Sequence, residues 1–588
     1  MTATASDPPP DLSTTAEPPG RQTPTGQTPA RQAPAGRPAD GPTAWSPLRI
    51  KLFRWIWLAG LVSNIGTFMH TVGAAWLMTS LTSSPGQVAL LQTAAAVPAF
   101  CLALLAGALA DIVDRRRLLI GSQVLMLAAA GVLGVLTVNG SVTPAILLGL
   151  TLVLGIGATL NLPAWAAMTP ELVPRSELAP AVALNAIGIN AAAAIGPALG
   201  GVVVAALGPA WVFFLNAASF VAMIVAVYGW RREPASAGLP AEHLVSAVRT
   251  GVRYVRNAVG VQIVLTRAAL FMLFASALTA LLPVVARGSL HASAGQFGIL
   301  SAALGGGAVV AGFALPRIRR VVPADGVIAL AAVGYAAATC VVAATTSLAV
   351  TCLALLVAGA ASIMFISVVI VTMQAILPSW VRGRAIAVYM LVFQGSMAAG
   401  AAAWGAVASG TSPRTALLGA AVGLVVATGL SAQLRLTGRA DTDPSSARLW
   451  PDPVVMIEHG EDDGPVLVQL EWRIDPGDVG AFTAAMRSVS QQRRRDGAMR
   501  WGLYQDTAEP GRMVESYTVA TWAEHQRQHT RVTAADVPCL AAASAFLPGG
   551  GAPRTTHLLA GREGRHQHGA AAAAAAHHTA CTVGTTGG

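Results

Sequence analysis

The segment Gly107-Ala-Leu-Ala-Asp111-Ile-Val-Asp114-Arg115-Arg116-Arg117 ends one long apolar run and begins the next. Two carboxylates and three guanidiniums in so short a break belong in water, since each is costly in hydrocarbon. The runs on either side, 87–110 and 117–138, each hold about the 20 residues that a helix rising 1.5 Å per residue needs to cross roughly 30 Å of lipid. The break therefore predicts a loop at one membrane face between two spanning helices.

The same alternation runs from Leu52 to about Leu436. It gives twelve expected spans at 53–79, 87–110, 117–138, 143–168, 178–206, 210–230, 262–286, 294–316, 325–344, 347–373, 383–409 and 412–434. Composition agrees: of 588 residues 54% are hydrophobic and 11% charged, against about 25% charged in soluble domains. A disordered chain, a disulfide scaffold and an ordinary soluble enzyme are excluded. The net charge of +10 does not point to nucleic acid, because the basic residues sit in short breaks rather than one patch. Cys101, Cys340, Cys352, Cys539 and Cys581 form no C-x-x-C pair, so neither a disulfide framework nor a zinc site is indicated.

Alternate loops differ sharply in charge. One face receives Arg49, Lys51, Arg54, Arg115–Arg117, Arg175, Arg231, Arg232, Arg249, Arg253, Arg256, Arg317, Arg319, Arg320, Arg382, Arg384, Arg435 and Arg439; the other has Arg287 and Arg414. The positive-inside rule makes the first face cytoplasmic and places both termini there. A bacterial plasma membrane is expected, since the basic residues apart from Lys51 are Arg and the chain is rich in Ala and Gly.

The opening segment has a weak echo in Gly312-Phe-Ala-Leu-Pro316-Arg317-Ile-Arg319-Arg320 after the eighth span, which divides the spans into two sets of six. Between them Leu244, Val248, Val252 and Val255 share one helical arc opposite Arg249, Arg253 and Arg256, as in a helix lying on a membrane surface. After Arg439 the pattern becomes soluble. Val466, Val468, Leu470, Trp472 and Ile474 alternate as in a strand, and Val479, Phe482, Met486 and Val489 keep helical spacing up to a stop at Gly497. Strands at 499–506, 512–519 and 555–559, with a helix capped by a Thr521/Glu524 box, complete a βαββαβ ferredoxin-like order.

The expected architecture is an all-α polytopic membrane protein with a small α+β domain appended. Residues 1–45 form a disordered cytoplasmic tail, 46–230 the first six-helix half, 231–261 an amphipathic linker, 262–440 the second half, 450–560 the ferredoxin-like domain and 561–588 a low-complexity tail.

Function must come from what the bundle holds inside. Gly196-Pro197-Ala-Leu-Gly200-Gly201 in the fifth span and Gly400 with Gly405 in the eleventh remove side chains, permitting close helix approach or a bend. Asn64, His70, Asn161, Asn185, Asn190, Asn216, Gln374 and Gln394 either line a central cavity or join helices. No Asp or Glu lies deep in a span, which leaves His70 as the titratable candidate for proton coupling or as a structural imidazole. Arg267 either snorkels to the surface or meets an anionic substrate.

The Gly107–Arg117 segment resembles the cytoplasmic loop signature of the major facilitator superfamily, and Gly196–Gly201 is similar to its antiporter motif. Asn161-Leu-Pro163-Ala-Trp165, Pro170-Glu171-Leu-Val-Pro174-Arg175, Ala210–Asn216 and Val381-Arg382-Gly383-Arg384 resemble the transmembrane secretion effector branch, which includes relatives of the enterobactin exporter and macrolide efflux proteins. The resemblance implies alternating access, with Gly107, Asp111, Asp114, Arg115 and Arg116 forming a conformational latch and Gly196, Pro197, Gly200, Gly201, Gly400 and Gly405 forming hinge and packing positions. It also implies ion-gradient-driven efflux of an amphipathic drug, siderophore or secondary metabolite, with a proton or other ion as partner.

Two features depart from the family pattern. The fourth span lacks an intramembrane Arg, and Ala192 interrupts the glycine ladder. No Gly-x-x-x-x-Gly-Lys segment accompanies the spans, so no ATP-hydrolysing motor is encoded here. No cofactor is implied. The C-terminal segment reads either as a self-associating module or as a monooxygenase-like enzyme, with Trp472, Trp501, Tyr504, Trp522, His525 and His529 as its candidate groups. His525 and His529 share a helix face, without an evident third metal ligand. Metal binding by His566, His568, His577 and His578 is outweighed by a disordered-tail reading.

Overall fold

The computed structural model describes residues 45–230, 244–434, Ser445, Ala447, Gly460 and 463–560. The two expected tails, 1–45 save its last residue and 561–588, lie outside them. Six long helices form the first half: α1 Lys51–Leu81, α2 Pro85–Ile112, α3 Arg115–Val138, α4 Pro144–Leu172, α5 Leu178–Leu207 and α6 Pro209–Tyr228. After α7 Leu244–Asn257, six more form the second: α8 Val259–Gly288, α9 Ala294–Ile318, α10 Ala324–Ala344, α11 Leu348–Ile376, α12 Arg382–Gly410 and α13 Pro413–Ala432. Among the described residues these twelve are long and apolar enough to span a membrane.

The helix ends fall where local chemistry puts them. Asp114 caps α3 by accepting from the Arg117 N–H, and Thr143 and Ser412 do the same for α4 and α13. Pro stands in the first turn of α2, α4, α6 and α13, where its missing N–H has no helical partner to lose. Gly208, at φ 89°, turns α5 directly into α6.

The halves meet along two seams, α5 against α9 and α2 against α12. Each closes on a pair of glycines. A Cβ on Gly201 would lie 2.6 Å from Gly298 Cα and 2.8 Å from Ala294 O; one on Gly405 would lie 2.5 Å from Ala89 Cβ and 3.3 Å from Gly86 Cα. Gly86 N also donates to Ser409 Oγ at 2.8 Å, and Thr93 Oγ1 to Ala398 O at 3.0 Å. Without a hydrophobic drive between helices in lipid, such backbone proximity is what binds them.

The C-terminal segment holds β1 Val466–Arg473, α14 Val479–Asp496, β2 Arg500–Gln505, β3 Arg512–Val519, α15 Trp522–Arg531, α16 Val537–Ser544 and β4 Arg554–Leu559. Its sheet runs β2-β3-β1-β4 with every neighbour antiparallel, which splits each βαβ unit around a central strand. Val466, Val468, Leu470 and Trp472 alternate inward onto Phe482, Met486 and Val489 of α14, as their periodicity predicts. Helix α16 has no counterpart in the sequence reading. The Thr521/Glu524 box is half formed: Thr521 accepts from the Glu524 N–H, but the Glu524 carboxylate goes to Arg531 and Arg253.

Helix α7, expected along the membrane surface or as a linker, packs in part against protein. Gly251, Tyr254 and Val255 are buried and Val252 is exposed. Tyr254 packs edge-on against Trp380 at 5.5 Å with Arg495 of α14 over its other side at 5.8 Å, and a Cβ on Gly251 would lie 3.0 Å from Arg384 Cβ. Of the expected apolar arc Val255 is buried and Val252 exposed, the side chains of Leu244 and Val248 lying outside the described residues; through Gly251 and Tyr254 the helix joins the second half to the C-terminal segment.

A leucine at Gly201 forces the α5/α9 seam apart, at a cost of about 1–3 kcal/mol. In a chain carrying Ala294→Cys as its reporter thiol, Gly201→Leu should speed alkylation several-fold, because position 294 is 8% exposed in the intact seam. Unchanged protection would show that the seam does not depend on the glycine contact.

Candidate transport site

The faces of the bundle can be distinguished by charge, one Arg-rich and one Arg-poor. Gly201, Gly298, Gly86 and Gly405 lie toward the Arg-poor face, and so does an aromatic cluster. Trp76 of α1 stacks on Phe297 of α9 at 5.7 Å, and the Arg287 guanidinium sits 5.5 Å from the Trp76 ring while donating to Thr79 Oγ1 at 3.2 Å. This plug joins helices of both halves. At the Arg-rich ends of α2 and α9, as at Gly410 and Gly288 of the Arg-poor end, a Cβ on Gly107 or Gly312 would meet nothing within 4 Å among the described residues. The state observed is closed at the Arg-poor face.

All six expected hinge and packing positions lie on α5 or α12. Gly196 approaches Phe68 and Ile65 of α1, Gly200 approaches Met69, Gly400 approaches Leu273 and Ser276 of α8, and a Cβ on Gly298 would lie 2.7 Å from the Pro197 carbonyl oxygen. α5 continues through Pro197 as one helix. The sequence reading missed their partners Gly86 and Gly298, which lie in other helices and carry no local signal.

The latch residues are distributed within the first half. Arg115 Nη1 pairs with Glu171 Oε1 at 2.5 Å, tying α3 to the end of α4, and Arg116 donates to Tyr228 O at 2.6 Å with its guanidinium 5.0 Å from the Tyr228 ring. Asp114 is the α3 cap. The Asp111 side chain lies outside the described residues. In the second half the matching tie is Arg267, 4% exposed, which pairs with Asp325 at 2.5 Å and donates to Ser431 O and Leu434 O. Arg267 therefore neither snorkels nor faces a substrate; it binds α10 and the end of α13 to α8.

Several expected cavity residues are spent on packing. His70 is 7% exposed and lies 4.7 Å from the Phe213 ring, with both ring nitrogens buried and unbonded. Asn161 accepts from Gln123 at 3.2 Å and joins α4 to α3, Asn185 donates to Thr169 at 3.3 Å, and Asn216 is buried beside Gly66. Asn64, Asn190 and Gln394, on α1, α5 and α12, are half-buried. Gln374 is exposed.

The sequence pattern of the transmembrane secretion effector family matches residues 42–566. The chain belongs to that family. It is 29% identical over 265 residues to the enterobactin exporter of Citrobacter koseri, covering 44% of this chain and 61% of the exporter. It is 28% identical over 204 residues to an uncharacterized MFS-type transporter of Bacillus subtilis, covering 33% and 47%. The chain thus spans about half to three-fifths of these relatives. In fold it resembles a point variant of the nucleoside transporter NupG, with a TM-score of 0.56 at 12% identity over 65% of this chain and 99% of that one. It also resembles a bacterial homologue of the human lysosomal transporter Spinster in an inward-facing, unoccupied state, with a TM-score of 0.53 at 15% identity over 66% and 98%. These are transporters of the major facilitator fold, not enzymes.

Of the aromatic groups considered for an enzymatic C-terminal segment, Trp522 lies beside His525 at 5.5 Å and His557 at 6.3 Å, and the others stand apart from it. Trp472 lies in the core against Phe482, Trp501 donates to Glu515 at 3.1 Å and Tyr504 is exposed. The histidines do gather. His557 of β4 comes to 4.7 Å from the His525 ring and His529 to 5.0 Å, so the third partner absent from the sequence reading is supplied across the sheet. Burial, then the neighbouring His557 and His529, lower His525 to about 3, which keeps it neutral.

Glu524 is the polar centre of the contact with α7. Arg253 Nη2 reaches it at 2.9 Å and Arg531 Nη1 at 2.6 Å, while the Arg531 guanidinium covers the Trp380 ring at 4.5 Å. Burial raises its carboxyl, but the Arg531 and Arg253 charges outweigh burial and hold it below the usual 4.5. A depressed carboxyl stabilises the folded contact above its unfolded pKa and loses that contribution as pH falls through its folded one. Amide exchange in 251–257 should therefore be slow at neutral pH and rise as pH falls below 4.5, after correction for intrinsic rates. Glu524→Gln should show the faster exchange already at neutral pH. Protection equal to the parent would remove Glu524 from the contact.

Proposed function

We propose that this chain is a secondary active exporter of an amphipathic small molecule of the siderophore, antibiotic or secondary-metabolite class, moved by alternating access across a bacterial plasma membrane. The observation that carries the reading is closure at the Arg-poor face. The two glycine seams and the Trp76–Phe297 plug unite the halves there. By the positive-inside rule the Arg-rich face is cytoplasmic, so the site faces its supply of substrate. Similarity to enterobactin exporters supports the direction and the substrate class.

Few fixed charges remain inside the bundle once Arg267 is paired. Asn64, Asn190 and Gln394, half-buried among apolar neighbours, are the polar groups left to line a substrate site, which favours large molecules with scattered hydrogen-bonding groups over sugars or phosphates. The latch works in the opposite state: when the Arg-rich ends close, Asp111 engages the Arg115/Arg116 loop and Arg115 exchanges its Glu171 partner. The driving force is an ion gradient, read here as the proton; its carrier is His70, the imidazole within the spans, which is packed against Phe213 in the observed state and takes a proton only when the cycle opens it to water.

Everted vesicles given a panel of catecholate siderophores and macrolides from outside test direction, class and energy source together. Uptake should collapse with the proton gradient and persist when only the sodium gradient is removed. Asp111→Asn should lower uptake at equal membrane abundance, and His70→Gln should abolish its response to the proton gradient. Uptake driven by sodium alone would overturn the coupling, and undiminished transport by Asp111→Asn would remove the latch.

A further inference from the structure

The histidine cluster of the C-terminal segment has no part in the transport reading. His525 and His529 sit one turn apart on α15, and His557 faces them from β4. Their ring nitrogens offer three donor atoms that all lie within 4.8 Å of one another. His525 is 1% exposed; its Nδ1 lies 3.4 Å from Gln528 Oε1, and its Nε2 is buried with no hydrogen-bond partner. An orphaned buried nitrogen is costly, and here it belongs to the cluster where two more imidazoles arrive.

We infer that His525, His529 and His557 form a three-histidine site for a first-row divalent transition metal of the zinc type. Imidazole nitrogens without thiolate or carboxylate suit zinc, copper, nickel and iron rather than calcium or magnesium. Tetrahedral zinc with bonds near 2.05 Å sets its ligand nitrogens about 3.3 Å apart, which small rotamer changes reach from the observed spread. Gln528 supplies the outer contact that orients a ligating ring, fixing Nδ1 as the donor and leaving the Nε2 lone pair for the ion. The nearby Arg493 charge is engaged by Glu515 at 3.0 Å, so it does not stand open toward the site. Three protein ligands leave a fourth position for water.

The ion joins the last strand to the helix that carries Glu524. Occupancy therefore braces α15 where it meets Arg253 of α7, and the metal has a structural role in this segment.

The test uses the full chain in detergent with His566, His568, His577 and His578 changed to Ala, so that the tail cannot chelate. Zinc alone and cobalt alone are the probes. One cobalt per chain should bind with the intense visible absorption of a four- or five-coordinate ion, and zinc should displace it. His557→Gln and His525→Gln should each weaken binding by about 100-fold or more, and Gln528→Ala by about 10-fold. Unaltered affinity in both histidine variants, or no stoichiometric uptake by the tail-substituted parent, would overturn the site. Should a variant misfold, stoichiometry and spectrum in the parent decide.

Discussion

The two halves of this bundle are held together where they have almost no side chains. At Gly201/Gly298 and Gly86/Gly405, backbones approach so closely that one added methyl group on either side would collide. In lipid the apolar surface of a helix gains nothing by leaving its neighbours, so attraction comes from close packing and from hydrogen bonds such as Gly86 N to Ser409 Oγ. A contact of this kind is both tight and easily parted, because no long side chain must be withdrawn. That suits a seam which opens once in each cycle.

Movement of halves as units requires each half to be firm within itself, and polar ties between its helices serve that purpose. Arg115–Glu171 binds α3 to α4, Arg267–Asp325 binds α8 to α10, and Asn161, Asn185, Trp57 and Trp404 add hydrogen bonds between helices of one half. The C-terminal segment extends the second half through α7, where Tyr254 and Trp380 lie between Arg495 and Arg531. It therefore adds mass and a polar anchor to one of the two moving bodies.

Much of this was legible in the chain because the signals are local. Span ends from hydropathy fall within a few residues of α1–α6 and α8–α13, and the strand and helix periods place β1 to β4, α14 and α15 correctly. Charge asymmetry and the glycines of α5 and α12 likewise need no partner to be noticed. What escaped was non-local. Gly298 looks like any membrane glycine until Gly201 faces it, His557 is an isolated strand residue until the sheet brings it to α15, and Arg267 has no visible partner until α10 folds back. The α7 pattern has a related limit: an amphipathic face says that something apolar covers it, without saying whether that is lipid or protein.

The account turns on opposed movement at the two faces, and paired spin labels measure it directly. With native cysteines replaced, one pair at Ser83 and Arg414 reports the Arg-poor ends and another at Arg117 and Arg319 the Arg-rich ends. Without substrate the first pair should give a single short distance; as transport is driven, the first distance should grow while the second shrinks. Distances that both stay fixed, or that lengthen together, would contradict alternating access through glycine seams.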